Sequence, residues 1–267
     1  MSESDNDHEI GEREDEEGDS DNEWIEQHIA EEPLVEFEGE RYDRRTVRKI
    51  DVPEGVTEIE SLTFSCCIKL SSIKLPSTLT SIGEYAFELC KSLQSIKLPN
   101  GIISLGDYAF NSSSMRSIII PNTATSLGTY LFSNCKFLTS VTLPNSITSI
   151  PALTFWNCSS LEHIELPASI TSIGGDFGGA FEDCSALKSV IIPIAATVAD
   201  NAFDGCTLLQ AKSSIYNMTI VEYYRDYYHK RIKERVAVLN CLKFINDKRI
   251  SEREEKEREG KRKREKG

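Results

Sequence analysis

The sequence predicts a repeat solenoid that is mainly β, with short irregular or 3₁₀ turns between its strands and an α-helix towards its C-terminal end. Two regularities support this fold class. A proline and a phenylalanine each recur every 22 to 26 residues, and six of the seven phenylalanines have a cysteine three residues later. The prolines are Pro53, Pro76, Pro99, Pro121, Pro144, Pro167 and Pro193, and the phenylalanines are Phe64, Phe87, Phe110, Phe132, Phe155, Phe181 and Phe203.

Each repeat holds one predicted strand just before its proline. In the run S-I-K-L-P the apolar residues alternate with Ser and Lys, so one set faces inward and the other outward. Proline ends the strand because it has no N–H to donate. A second apolar pair follows, as in Leu79 and Ile82, and then a glycine at which we expect a bend with positive φ. These glycines are Gly83, Gly106, Gly128 and Gly174.

One repeat cannot bury its apolar side chains alone, so we expect about seven coils to stack. At the strand spacing of about 4.7–4.9 Å, the stack would be roughly 35 Å long. The cysteines would then form a buried column of small core residues. Zinc sites need clustered ligand pairs, and the only close pair is Cys66 and Cys67, so we predict no metal and no cofactor. The column is Cys67, Cys90, Cys135, Cys158, Cys184 and Cys206, with Ser113 as the substitute.

The string L-x-x-I-x-L-P followed by I-x-x-I-G-x-x-A-F-x-x-C resembles the BspA-like class of leucine-rich repeats over residues 47–209. The resemblance implies a leucine-rich-repeat solenoid. The chain departs from the general pattern, in which an asparagine ladder follows the strand. Thr78, Gly101, Thr123 and Ser146 stand in that place. Members of the family are often cell-surface adhesins, which gives one alternative function.

Charge divides the chain, whose net charge is −13, into an acidic start, a nearly neutral middle and a basic end. The predicted helix has an apolar stripe that either covers the last coil or meets a partner helix, so self-association stays open. We predict five segments: an acidic, mostly disordered leader (1–32), a capping hairpin that turns at Glu38 and Gly39 (33–46), the solenoid (47–212), the amphipathic helix (213–250) and a charged tail (251–267).

The chain begins without a basic stretch and an apolar stretch of the kind that forms a signal peptide. No apolar run approaches the roughly 18 residues of a membrane span. We therefore expect an intracellular protein, cytoplasmic or nuclear, with its cysteines as thiols. The K-R-K-R run at 261–264 suggests nuclear import or nucleic-acid binding as another alternative, but interspersed glutamates would repel phosphates and disfavour it.

No residue pattern predicts an enzyme. His163 is the only histidine within the repeats, on an outward position beside Glu162 and Glu165, and spacing supplies no nucleophile with a supporting base. The glycine-rich stretch 174–179 lacks the G-K-[ST] ending of a phosphate-binding loop. We interpret it as a surface insertion.

The outward strand positions form the candidate binding surface, because a repeat array holds evenly spaced side chains on one wide face. We predict a non-catalytic module that binds or scaffolds a protein partner, whose identity the sequence does not give. We call this surface the strand face, and it comprises Ser72, Lys74, Ser95, Lys97, Ser117, Ile119, Ser140, Thr142, His163, Glu165, Ser189 and Ile191.

Overall fold

The structure is a computed structural model that describes residues 33–175, 177–215, 219–227 and 230. It is a β-solenoid, as the sequence predicts, and it has about six turns where the sequence predicts about seven. The predicted leader, the charged tail and most of the range 213–250 lie outside the described residues. The strands are β1 Leu34–Phe37, β2 Glu40–Asp43, β3 Lys49–Asp51, β4 Glu58–Ile59, β5 Ser72–Lys74, β6 Ser81–Ile82, β7 Ser104–Leu105, β8 Ser117–Ile119, β9 Ser140–Thr142, β10 Ser149–Ile150, β11 His163–Glu165, β12 Ser172–Ile173, β13 Ser189–Ile191 and β14 Thr197–Val198; the helices are α1 Thr207–Ile215 and a π-helix, Glu222–Tyr227.

A hairpin covers the first coil. Strands β1 and β2 pair antiparallel, and the turn between them has positive φ at Glu38 (51°) and Gly39 (77°). Two consecutive positive φ angles are typical of the tight turns that suit the twist of a hairpin. The ring of Phe37 packs edge-on against Phe64, with centroids 5.1 Å apart, and so closes the open end of the core.

The coils stack through parallel, in-register pairing. Ile50 pairs with Ile73, and His163 pairs with Ser189. On a second side of each coil, the short strands β4, β6 and β7 form one ladder and β10, β12 and β14 another. Because the register is fixed, equivalent residues of successive coils lie in columns, which confirms the predicted stack.

The phenylalanine column is the centre of the core. Its seven rings stack in sequence from Phe64 to Phe203, with centroids 5.2 to 5.7 Å apart. At most 3% of any of these residues is exposed. A face-offset stack at this spacing is favourable for aromatic rings and fills the space between the two strand ladders.

The cysteine column lies beside the phenylalanines, and its members are free thiols. From Cys90 onward, each thiol donates a hydrogen bond to the phenylalanine carbonyl of the preceding coil; the sulfur of Cys158, for example, is 3.1 Å from the Phe132 oxygen. Burial raises the pKa of the Cys135 thiol to about 11. These cysteines therefore satisfy backbone carbonyls in the core as neutral thiols.

The prediction for the repeat glycines was wrong for Gly83, Gly106 and Gly128, since only Gly174 has a positive φ (83°). These three glycines instead allow neighbouring coils to approach closely, because they have no Cβ. A Cβ on Gly106 would lie 2.6 Å from the backbone nitrogen of Glu84. The bends with positive φ fall on other residues, two per coil on most coils, as at Tyr85 (55°) in the second.

Side-chain hydroxyls take the place of an asparagine ladder after the strands. Thr78 Oγ1 donates to the carbonyl of Val56 at 2.7 Å, and Ser169 Oγ donates to that of Ile147 at 2.7 Å. Thr123 and Ser146 make the equivalent bonds. Each hydroxyl thereby joins a turn to the coil before it.

The segment after the last coil packs back on the solenoid. Tyr224, in the π-helix, is 1% exposed and its hydroxyl donates to the carbonyl of Lys188 at 3.3 Å. Thr219 and Glu222 begin the segment with reciprocal hydrogen bonds between side chain and backbone N–H, the arrangement of a capping box. Of the two roles considered for the C-terminal helix, this contact favours covering the last coil.

Candidate functional site: the strand face

All twelve residues of the strand face lie outside the core. Eleven are exposed, and Ser189 is half-buried. The neighbouring inward residues, such as Ile118 and Ile164, are buried, so the alternation expected from the sequence holds along the whole face. Backbone hydrogen bonds join the strands of the face in three pairs, β3–β5, β8–β9 and β11–β13, and hold the side chains of each pair in register.

The third coil interrupts the sheet. Ser95 and Lys97 are exposed as predicted, but the structure assigns no strand to residues 91–99. The following repeat is one residue shorter, and the coil-to-coil bond here runs from the N–H of Arg116 to the carbonyl of Gln94, at 2.9 Å. The two residues therefore project from an irregular segment between the sheets β3–β5 and β8–β9.

Charge is distributed unevenly along the strand face. At its first coil Lys49 forms an ion pair with Asp51, at 3.1 Å. Lys74 and Lys97 follow, then the uncharged Ile119 and Thr142, and then Glu165. The face thus changes from cationic to anionic along the solenoid.

A second ion pair lies at the far edge of the face. Lys188 Nζ is 2.6 Å from Glu162 Oε2, and this hydrogen bond, with the attraction of the lysine charge, lowers the pKa of the Glu162 carboxyl. Both side chains are about half exposed, so the pair orders the edge of the face and contributes little to stability.

Two depressions adjoin the carboxyl ends of the strands. One, of about 530 Å³, is lined by both Lys74 and Lys97 together with Leu75 and Pro99. The other, of about 560 Å³, is lined by residues that include His163 and Glu165. Each depression is large enough to receive side chains of a bound protein.

Exposed apolar side chains lie in the middle of the face and beside it. Ile119 is 69% exposed and lies on β8, between the coils that line the two depressions. Phe137, 54% exposed in the turn before β9, was not among the predicted residues. Its exposure could have been predicted, because the same repeat position holds the polar residues Lys69 and Ser92 in earlier coils.

His163 does not form a catalytic group with its neighbours. Its Nδ1 lies 3.2 Å from the hydroxyl oxygen of Ser189, one coil away. Among the described residues no carboxylate forms a hydrogen bond with the imidazole, so the pair lacks the third member that would orient a base. Within the same residues no group of three His, Cys, Asp or Glu side chains could hold a metal ion.

The family follows from a comparison with protein-family models. The model described as "BspA type Leucine rich repeat region" matches residues 42–138 and 104–231, in six copies. The chain belongs to the BspA-type leucine-rich-repeat family. The phenylalanine and cysteine columns are therefore features of a BspA-type solenoid, and the resemblance stated from the sequence is confirmed. A search of the curated proteins finds no match.

A solved structure supports the fold, and two others show weaker similarity. A T. pallidum leucine-rich-repeat protein, TpLRR, is 28% identical with a TM-score of 0.57, and the match covers 64% of this BspA-type chain and 82% of that one. A leucine-rich-repeat protein from Bacteroides ovatus is 25% identical, covering 66% of this chain and 60% of that one, with a TM-score of 0.48. A leucine rich cell surface protein from Faecalibacterium prausnitzii is 26% identical, covering 61% and 58%, with a TM-score of 0.43. The chain thus matches about three fifths of the length of the last two.

In the described part of this BspA-type chain, no helix combines the length and the apolar character that crossing a bilayer requires.

Proposed function

We propose that this BspA-type chain is a non-catalytic protein-binding module and that its strand face is the binding surface. Its family is in general a non-catalytic repeat scaffold, and leucine-rich repeats generally bind proteins. The observation that carries the choice of surface is Ile119. An isoleucine that is 69% exposed, on a rigid strand between two depressions, supplies the apolar anchor that a protein interface needs near its centre.

The surroundings of Ile119 suit this role. Ser117 and Ser140 are exposed beside it, and paired backbone strands hold both. Small hydroxyls donate and accept hydrogen bonds with little steric demand. Burying an isoleucine side chain is worth about 1.5–3 kcal/mol, which corresponds to a change in affinity of roughly 10- to 150-fold.

The test compares two isoleucines. Ile119→Asp should remove the anchor, whereas Ile103→Asp places the same substitution on an isoleucine that is 51% exposed and lies off the strand face. The wild-type chain and both variants, each checked for an unchanged circular dichroism spectrum, are used to capture proteins from native lysate. We expect one set of proteins to be retained by the wild type and by Ile103→Asp but lost by Ile119→Asp. Equal retention by both variants would remove the strand face from the proposal.

The intracellular location expected from the sequence stays a prediction, to be tested by cell fractionation with an antibody against the chain.

A further inference from the structure

The unpaired charges of the strand face have a fixed order. Two ion pairs flank the face: Lys49–Asp51 lies in its first coil, and Lys188–Glu162 lies one column outside it, with Glu162 in the same coil as Glu165. Lys74, Lys97 and Glu165 form no ion pair with any residue in the described part of the chain. The lysines lie before Ile119 along the solenoid, and the glutamate lies after it. The interior of the face therefore presents positive charge, an apolar side chain and negative charge, in that order.

Each unpaired charge lies at a depression. Lys74 and Lys97 both line the first depression, whose other residues include Leu75 and Leu98. The carboxylate of Glu54, which also borders it, already accepts hydrogen bonds from the N–H and hydroxyl of Ser77. The net charge offered to a ligand at this end is therefore positive.

The second depression has the opposite character. Glu165 and His163 line it together with the polar side chains of Thr142 and Asn145. The described residues place no lysine or arginine in its lining. A cationic side chain entering here would find a carboxylate and neutral acceptors.

The distance between the opposite charges defines the length of the complementary partner segment. Lys97 and Glu165 are three coils apart, and coils stacked at about 4.7–4.9 Å separate them by roughly 14 Å. An extended chain rises about 3.3 Å per residue, so this distance corresponds to about four or five residues. A peptide that lies along the solenoid axis can therefore reach both depressions with Ile119 beneath its middle.

We propose that the strand face binds an extended protein segment in one direction: Asp or Glu lies over Lys74 and Lys97, an aliphatic or aromatic residue covers Ile119, and Lys or Arg lies over Glu165. This inference rests on the proposed function and adds the chemistry and orientation of the partner. Arg116, exposed in the same coil as Ile119 but one column further out, adds to the positive half. Complementary charge at both ends fixes register and excludes the reversed segment.

The experiment uses a phage library of random twelve-residue peptides, selected on the full chain. The charge-reversed variant is Lys74→Glu with Lys97→Glu. The matched control is Lys69→Glu with Lys136→Glu, which makes the same change at two exposed lysines off the face. We expect the wild type to enrich peptides that carry an acidic and a basic residue four or five positions apart, with an apolar residue between them. A synthetic copy of such a peptide should bind the charge-reversed variant about tenfold or more weakly, and the control as tightly as the wild type.

The outcomes separate this inference from the proposed function. Failure to enrich any peptide, or enriched peptides without charge order, overturns the inference. So does equal affinity for the wild type and the charge-reversed variant. If enriched peptides without charge order bind Ile119→Asp more weakly than the wild type, the strand face remains the binding surface and only the proposed orientation is wrong. If enriched peptides bind Ile119→Asp as tightly as the wild type, both the proposed binding surface and the proposed orientation are wrong.

Discussion

Replacing an inner ring of the phenylalanine column tests whether stacked coils stabilise one another. Phe110 is fully buried, and its ring is 5.5 Å from that of Phe87 and 5.7 Å from that of Phe132. Phe110→Ala removes both ring pairs and leaves a cavity. The cavity cannot close easily, because the N–H of Phe110 is bonded to the carbonyl of Leu131 and that of Phe87 to the carbonyl of Ala109. We expect a loss of about 4–5 kcal/mol of unfolding free energy, the upper part of the range for Phe→Ala.

The last ring of the column is the matched control. Phe203 is 3% exposed, and Phe181, at 5.3 Å, is the one described ring stacked on it. Phe203→Ala loses one ring pair in place of two, in a coil that has a repeat on one side only. Its cost should be about 3 kcal/mol or less. Urea unfolding followed by circular dichroism measures both values. Equal losses, or a loss below about 2 kcal/mol for Phe110→Ala, would refute the view that each coil supports its neighbours.

Three further predictions concern the hydroxyl bonds between turns and the cysteine column. Gly101→Ser should add about 0.5–1 kcal/mol of unfolding free energy relative to Gly101→Ala, because its hydroxyl would reach the carbonyl oxygen of Leu79. The new Cβ of either variant would lie 3.2 Å from that oxygen, which is a tight contact, so Gly101→Ala measures the effect of the Cβ alone; urea unfolding gives both values. Cys241 lies outside the described residues and is replaced by serine for the next test. In that variant the other seven cysteines, all buried, should react with a thiol reagent at pH 8 only after denaturant unfolds the chain. Burial raises the pKa of Cys135 to about 11 and that of Cys206 to about 12, from an ordinary 9.0. The unfolding free energy that these neutral thiols contribute should therefore be complete below pH 9 and decrease as the pH rises towards 12. Urea unfolding at several pH values measures this change.

The columns could be predicted from the sequence because the repeat itself encodes their register. A residue type that recurs at one position of every repeat, as Phe does, can line up only if coils stack in register. The observed ring stack and the parallel pairs are the direct result. The outward positions of the strand face follow from the same alternation, so their exposure was predictable too.

The reason why glycine recurs at one position of the repeat was harder to predict than the recurrence itself. Gly128 looked like a bend, yet its Cβ would lie 2.4 Å from the carbonyl carbon of Gly106 in the coil before. That contact depends on how closely two coils approach, and a single repeat carries no such information. Positive φ at Tyr108 (56°) and Tyr130 (56°) was missed for a related reason. Bonds between coils hold these backbones, and such stabilisation overrides the local preference for glycine.

The details of the candidate site depend on side-chain geometry that no spacing reveals. Which charges pair was not predictable, because Lys188 reaches Glu162 in the preceding coil, at 2.6 Å, whereas Glu165 pairs with no described residue. The absence of a strand at Ser95 was also missed, although the repeat that follows it is one residue shorter than the others.

In-register stacking also restricts which surfaces such a protein can display. Identical charges in neighbouring coils lie close together and repel, so a column of like charges costs stability. The column that runs through Ser72, Ser117 and Ser140 avoids this cost with small hydroxyls, and the outer edges avoid it with ion pairs. Lys74 and Lys97 are the exception, since both line one depression and neither forms an ion pair among the described residues, although Asp51 is the register partner of Lys74. Two adjacent cations in a surface otherwise arranged to avoid repulsion are the feature on which the proposed contact with an acidic partner residue depends.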